Sequence, residues 1–312
     1  MEKGLCGTGP EAEGEGMNYE SFLESKLISD TQSGFVVDPG SLHPKLFPHQ
    51  RRIIEWACMK GRSAIFADTG TGKTGCEVEW SNQVMRHAKG SVLMLAPLAV
   101  AQQTIREARD MWDVDIRYLS MKKPNEVGIF ITNYERLHYF SPEDYIAIVC
   151  DESSVLKDYS SVYRKQITEF AQSILYRLAA TATPAPNDID EILNHSEFLG
   201  VMSGHEALAL FFTQDGNSAI KKRLKRHAVK DFYRWMNTWS VALRMPSDLG
   251  FSDEGFVLPP LIYHEVVVDI DEPKPGNLFA VEAMTLKERQ GARRDSIAER
   301  VAAARKVIYG ED

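Results

Sequence analysis

Lys73 and Thr74 close a short run, Thr69-Gly70-Thr71-Gly72-Lys73-Thr74, whose residue types suit one kind of chemistry. Glycines in a tight turn let successive backbone amides point at a single spot. A helix starting there adds a partial positive charge, and the two together hold phosphate. Apolar Ala64-Ile65-Phe66 precedes the run and reads as a buried strand. Gly75 to Trp80 follows it and can continue as a helix. In this setting Thr69, Gly70, Thr71 and Gly72 would wrap the phosphates. Lys73 would reach the β- and γ-phosphates, and the Thr74 hydroxyl would hold Mg²⁺. The strict pattern has a glycine six residues before the lysine, and here that position is Ala67.

A phosphate loop alone does not say what happens to the nucleotide. Asp151-Glu152 supplies the second half, directly after the apolar run Ile146–Cys150. Asp151 is placed to bind Mg²⁺. Glu152 is placed to orient and deprotonate an attacking water. Further along, Thr181-Ala182-Thr183-Pro184 puts small hydroxyls at another strand end. Thr181 and Thr183 could hydrogen-bond the acids and couple phosphate state to motion. Gln50 opens a helix ahead of the first strand. Its amide donates and accepts at once, which reading adenine N6 and N7 requires. Taken alone, Gln50 reads rather as a solvated helix residue.

The elements that must position these groups are short and apolar. Strands are expected at 64–66, 91–97, 114–119, 127–132, 145–150 and 176–180, with helices between them. Alternation of this kind gives an α/β fold, a parallel sheet with helices on both faces. The polar motifs fall at strand C-terminal ends, where open α/β sheets bind ligands. Residues 1–17 are rich in Gly and Glu and read as disordered. Residues 18–28 read as a short helix. Residues 187–256 lose the strand pattern and read as helical, basic and aromatic. Between 221 and 245 lie eight Lys or Arg and one acid, Asp231. Phe232, Trp235 and Trp239 fall on one helix face and read as a core stripe rather than a base-stacking platform. Lys221, Lys222, Arg223, Lys225 and Arg226 are the candidates for phosphate contacts along a nucleic acid. Residues 261–268 read as a strand, 271–276 as a loop and 278–308 as mostly helix.

Composition limits the alternatives. The 312 residues carry a net charge of −8, so nucleic-acid binding must come from a local patch. Cys6, Cys58, Cys76 and Cys150 are scattered, which argues against a zinc site or a disulfide framework. A reduced cytoplasmic compartment fits. His195, His205, His227 and His264 have no ligand spacing and read as packing or surface residues. No apolar run approaches the roughly 20 residues needed to cross a membrane.

Gln50, Ala67–Thr74, Ala96-Pro97, Thr132-Asn133-Tyr134-Glu135, Asp151-Glu152-Ser153-Ser154 and Thr181–Pro184 stand in the order of the motifs of superfamily 2 helicases. The Asp-Glu-Ser-Ser form, with Leu156-Lys157 after it, resembles the DEAD/DEAH-type helicases related to chromatin remodellers, as found in bacteriophages and prophages. The resemblance covers about residues 45–270, and Ala67 is common in that family. It implies a RecA-like P-loop NTPase lobe over 18–186 with ATP and Mg²⁺ as cofactors. Gln50 would read adenine. Lys73, Asp151 and Glu152 would be catalytic, with Thr74 and Asp151 on Mg²⁺. Pro97 with Gln102, and Thr132 with Asn133, would lie along the nucleic-acid backbone, DNA in preference to RNA.

Such helicases have two lobes, and the second supplies an arginine to the γ-phosphate. Here the residues after Thr183 suggest only the start of one, over 257–312. Gln290-Gly291-Ala292-Arg293-Arg294 resembles the arginine motif, but its spacing is wrong, and it reads as an exposed helix face. The expectation is an ATP-dependent, DNA-directed motor lobe with a truncated second lobe, weakly active alone. Its rival is a non-catalytic ATP- and DNA-binding module completed by a separately encoded second lobe. A P-loop nuclease would need a further acidic cluster, and a P-loop kinase would lack Thr-Ala-Thr-Pro.

Overall fold

Parallel strands covered on both faces must be apolar on both faces, and the strands of this protein are. The computed structural model describes residues 32–121, 125–157, 161–215, 218–257, 259–260, 262–263, 265–268 and 285–310. They fall into two compact units, Met1–Val257 and Leu258–Asp312. In the first, seven strands form one sheet: β1 (Arg62–Ala67), β2 (Val92–Leu95), β3 (Ile116–Tyr118), β4 (Ile129–Thr132), β5 (Ala147–Asp151), β6 (Tyr176–Thr181) and β9 (Ser240–Leu243). Their order is β3-β4-β2-β5-β6-β1-β9, and every neighbouring pair is parallel. All residues of β2, β4 and β6 are buried.

Successive side chains on a strand point to opposite faces, and two cores result. Val92 and Met94 pack on one face with Ile54 and Ala57 of α1 (Pro48–Lys60), Val78 and Trp80 of α2 (Lys73–Ala88), and Ala108 and Trp112 of α3 (Leu98–Trp112). Leu93 and Leu95 pack on the other. Their partners include Ile167 of α4 (Val162–Gln172), Phe198 of α5 (Ile192–Leu199), Phe211 of α6 (Gly204–Phe211), and Phe232, Trp235 and Trp239 of α7 (Val229–Trp239). The aromatic stripe of α7 is therefore core, as its spacing indicates.

Residues 187–256 differ from the all-helical expectation. The hairpin β7 (Phe212–Asp215) and β8 (Ser218–Leu224) pairs antiparallel, with Phe212 opposite Leu224. The basic run thus lies largely on a strand. Beyond α7, β9 returns to the sheet and pairs in parallel with β1, Ala64 opposite Ser240 and Ala67 opposite Leu243. β7, β8 and β9 are four-residue or polar segments whose pairing is decided by their partners, which local pattern does not encode.

Residues 262–263 and 265–268, expected on a strand, are not paired in a ladder. A strand needs a partner, and the described residues there have none. The second unit holds α8 (Leu286–Asp295) and α9 (Ile297–Tyr309), with Gln290, Arg293 and Arg294 exposed on α8. The expected helix at 18–28, the disorder at 1–17 and the loop at 271–276 lie outside the described residues.

At the sheet's other end sits a buried arginine held by backbone carbonyls. Arg177 donates to the carbonyls of Gln172, Ile174 and Phe198 at 2.8, 2.9 and 3.0 Å. Gln172 and Phe198 lie in the last turns of α4 and α5, where the helix dipoles favour a cation.

Candidate functional site

Strands β5, β6 and β1 are neighbours, so the residues leaving their C-terminal ends share one edge of the sheet. The loop 68–72 leaves β1, Asp151-Glu152 ends β5, and Thr181 ends β6. The topology therefore brings together three motifs far apart in sequence.

In the loop, Gly70 and Gly72 both stand at φ +83°, a conformation open to glycine and strained for other residues. Gly72 also lies under Gln50, whose Nε2 would meet an added Cβ at 2.1 Å. Thr71 Oγ1 donates to the Asp68 carbonyl at 2.7 Å and folds the loop inward. Asp68, Thr69 and Gly70 remain exposed. Lys73 opens α2, and its ammonium donates to the Ala67 carbonyl at 2.8 Å and the Asp68 carbonyl at 3.3 Å. These are neutral acceptors that a phosphate would outcompete. Thr74 follows it in the first turn, at the edge of the same loop.

Gln50 is buried and fully engaged. Its Oε1 accepts from Phe47 N at 2.9 Å, and its Nε2 faces the carbonyls of Thr71 at 3.4 Å and Gly72 at 3.2 Å. It ties the start of α1 to the phosphate loop.

The acidic turn is strained and clamped. Glu152 stands at φ +50°, uncommon for a residue with a Cβ. Its backbone N–H donates to Asp151 Oδ1 at 2.8 Å. Thr181 Oγ1 donates to Glu152 Oε2 at 3.3 Å, and Thr183 N donates to Thr181 Oγ1 at 3.1 Å. The Tyr134 hydroxyl donates to the Asp151 carbonyl. Burial, and then the Glu152 carboxylate beside it, push the Asp151 carboxyl up to about 6. A divalent cation there would favour its ionised form.

Three contributors escaped the sequence reading. His195 is fully buried, and its Nε2 lies 3.1 Å from Ser153 Oγ, fixing the residue after Glu152. Burial lowers its pKa to about 4, so the ring is neutral. No periodicity links α5 to the acidic turn, and only the fold brings them together. Glu77, one turn after Lys73, is 1% exposed, and neither carboxylate oxygen has a hydrogen-bond partner. Burial, then the Asp151 charge, raise it well above the usual range. The sequence gives no signal for it, since the same helix also buries Glu79, Ser81 and Gln83. The third, Phe256, lies beyond β9 among rings beside Gln50.

The expected nucleic-acid residues separate into two groups. Pro97 starts α3, and Gln102 is exposed on it. Arg223 and Arg226 are exposed, as is Lys222, which faces Asp190 electrostatically. The Lys221 backbone lies in β8. Thr132 is a correction: it is fully buried and donates to the Leu119 carbonyl at 2.8 Å, because it still belongs to β4. Asn133 is buried too, bound by the Tyr118 hydroxyl at 3.1 Å and by Glu135. Lys225 is partly exposed. Its ammonium donates to the Ala209 and Leu210 carbonyls at 2.6 and 3.1 Å, closing the C-terminal end of α6.

Among the described residues no cluster of three or more His, Cys, Asp or Glu could hold a metal unaided. Thr74 and Asp151 suit Mg²⁺, which keeps most of its shell as water and phosphate oxygen. Among the same residues no helix is long and apolar enough to cross a membrane.

Sheet order and the loop at the strand ends define a RecA-like α/β fold. Residues 47–192 match the family described as DEAD/DEAH box helicase. A chromodomain-helicase-DNA-binding protein 3 homolog of Caenorhabditis elegans is 26% identical over 54% of this chain and 12% of its own length. The fold is similar to that of the SWI2/SNF2 ATPase core of Sulfolobus solfataricus. The structure of that core with dsDNA superposes with a TM-score of 0.54 at 18% identity, covering 67% of this chain and 47% of the other. The core domain alone gives 0.52 at 18% identity, covering 67% and 45%. This chain thus spans a small part of the curated relative and under half of each solved chain.

Proposed function

We propose that this chain is an ATP-dependent, DNA-directed motor lobe of the helicase and remodeller type. The convergence of Lys73, Asp151, Glu152 and Thr181 at three adjacent strand ends carries the reading. Gly70 to Thr74 cradle the phosphates, with Thr69 and Thr71 completing the loop. Lys73 leaves its two carbonyl acceptors for the β- and γ-phosphates. Thr74 and Asp151 hold Mg²⁺, which neutralises phosphate charge when bound. Glu152 accepts the proton of the attacking water, and Thr181 with Thr183 conveys its position outward. Gln50 fixes the loop against α1 and borders the base. Pro97, Gln102 and the exposed arginines of the β8 region, Arg223 and Arg226, follow the nucleic-acid backbone. The motif resemblance makes the cytoplasm of a bacterium, or of a phage-infected host, its working compartment.

Turnover by the 312-residue chain alone is slow. In related NTPases an arginine, supplied in cis or by a partner, contributes roughly 10³–10⁵ in rate. A second lobe would provide it here. The test is calorimetric titration with ATP and Mg²⁺, beside hydrolysis assays with and without duplex DNA. The wild-type chain should bind, and Lys73→Ala should weaken binding by about 10- to 100-fold. Failure of the wild type to bind ATP would overturn the reading. Fast DNA-stimulated turnover, abolished by Lys73→Ala, would overturn the slow-turnover part alone.

A further inference from the structure

The turn that follows the acid pair is held at both ends by one helix. The 3₁₀ turn Ser153–Lys157 follows Glu152 directly. At its start, Ser153 Oγ lies 3.1 Å from His195 Nε2. At its end, the Lys157 carbonyl accepts from Asn194 Nδ2 at 3.0 Å. Asn194 and His195 are adjacent on α5, and both are fully buried. Arg164 of α4 donates through Nε to Asn194 Oδ1 at 3.1 Å, so the clamp is itself braced. Within the turn, Val155 N donates to the Glu152 carbonyl at 3.1 Å. Through this short turn α5 reaches the backbone of Glu152.

We infer that His195 is a positioning residue for the hydrolytic step, acting through Ser153 on the backbone of Glu152; this rests on the reading of Glu152 as the base. Three observations carry it. Glu152 stands at φ +50°, where a residue with a Cβ stays only when its surroundings hold it. Thr181 grips its side chain, and α5 grips the chain that follows, so the two holds act on different parts of the residue. Next, His195 Nδ1 has no hydrogen-bond partner among the described residues. An apolar side chain would fill this place without leaving a buried polar atom unpaired, so the bond to Ser153 is what accounts for a histidine here. Finally, the ring is fixed from the opposite side. Phe66 meets it edge to face, with centroids 5.2 Å apart and planes at 84°, a favoured arrangement of rings. Phe66 belongs to β1, which carries the phosphate loop. His195 therefore sits between that strand and the acidic turn.

The consequence is geometric. A general base must lie within about 2.6–3.2 Å of the group whose proton it takes. Rotation of the Glu152 backbone away from φ +50° would carry its carboxylate off that position and away from Thr181. Burial lowers the His195 pKa to about 4, so the ring is neutral and adds no charge beside Asp151 and Glu152. It acts by position, not by proton transfer.

The experiment sets single-turnover hydrolysis, with the full chain in excess over ATP and Mg²⁺ present, beside calorimetric ATP affinity. His195→Phe keeps a ring against Phe66 and removes both nitrogens. Ser153→Ala removes the partner hydroxyl. Each should slow hydrolysis by about 10- to 100-fold, the cost of a small misplacement, and leave ATP affinity unchanged. The double variant should be no slower than the slower single one, because both remove the same contact. His195→Gln places an amide where Nε2 lies and should recover most of the rate. Wild-type rates in folded His195→Phe and Ser153→Ala would overturn the inference. So would additive losses in the double variant, or losses that appear equally in ATP affinity. If His195→Phe does not fold, Ser153→Ala decides the matter by its rate and affinity. Wild-type hydrolysis no faster than that of Glu152→Gln would remove the reading of Glu152 as the base, and this inference with it. Failure of the wild type to bind ATP would instead remove the whole proposed function.

Discussion

Thr181 Oγ1 donates to Glu152 Oε2 at 3.3 Å and accepts from Thr183 N at 3.1 Å. One hydroxyl thus joins the candidate base to the loop that leaves β6. Glu152 needs the restraint, because its φ of +50° is a conformation that costs about 1 kcal/mol or more without support. Thr181→Val keeps the branched shape in a fully buried position and removes only the hydroxyl. ATP affinity should stay within about twofold, while single-turnover hydrolysis falls by about 10- to 100-fold, part of what a positioned base contributes. An unchanged rate would show that Glu152 is held by other means.

Glu77 gives a prediction in pH. Its folded-state pKa lies well above the ordinary value of 4.5, chiefly through burial. A carboxyl raised in this way binds its proton more tightly in the folded chain. Stability is then unaffected below the unfolded value and declines as pH rises from there toward the folded one. Glu77→Gln keeps the shape and removes the titration. Melting temperatures should coincide near pH 4 and diverge as pH rises, with the variant higher at pH 7 to 8. Parallel curves for the two proteins would contradict the assignment.

The parts of the site that were legible in sequence are contiguous ones. The phosphate loop, Asp151-Glu152 and Thr181-Ala182-Thr183 each carry their chemistry within a few residues, and each follows an apolar run that announces a buried strand. The strand β9 was not legible, because Ser240-Val241-Ala242-Leu243 becomes a strand only by pairing with β1. His195 was read as an ordinary packing residue for the same reason: its partner Ser153 is brought close by the fold of α5 onto the acidic turn. Thr132 failed in the opposite sense. It sits in its motif as expected, yet one step of register decides whether a strand-end side chain faces solvent or core, and here it faces Leu119.

The basic run divides by what each side chain already holds. Lys225 is committed to the carbonyls of Ala209 and Leu210, so Lys225→Glu would leave the end of α6 uncapped and weaken the fold. Arg223, opposite Thr213 in the hairpin, and Arg226 after it are exposed and separate the electrostatic question from the structural one. Each phosphate contact contributes about 0.9 to the slope of log affinity against log salt on duplex DNA. Arg223→Glu combined with Arg226→Glu should therefore weaken duplex binding and lower that slope by about 2, with the loss similar for unrelated sequences because phosphate carries no sequence information. Fluorescence anisotropy on a labelled duplex between about 50 and 200 mM salt measures both, and unfolding curves of the double variant confirm that the fold is kept. If affinity and slope are unchanged, the hairpin is a solvated face, and the DNA path runs elsewhere, along Pro97 and Gln102 at the start of α3.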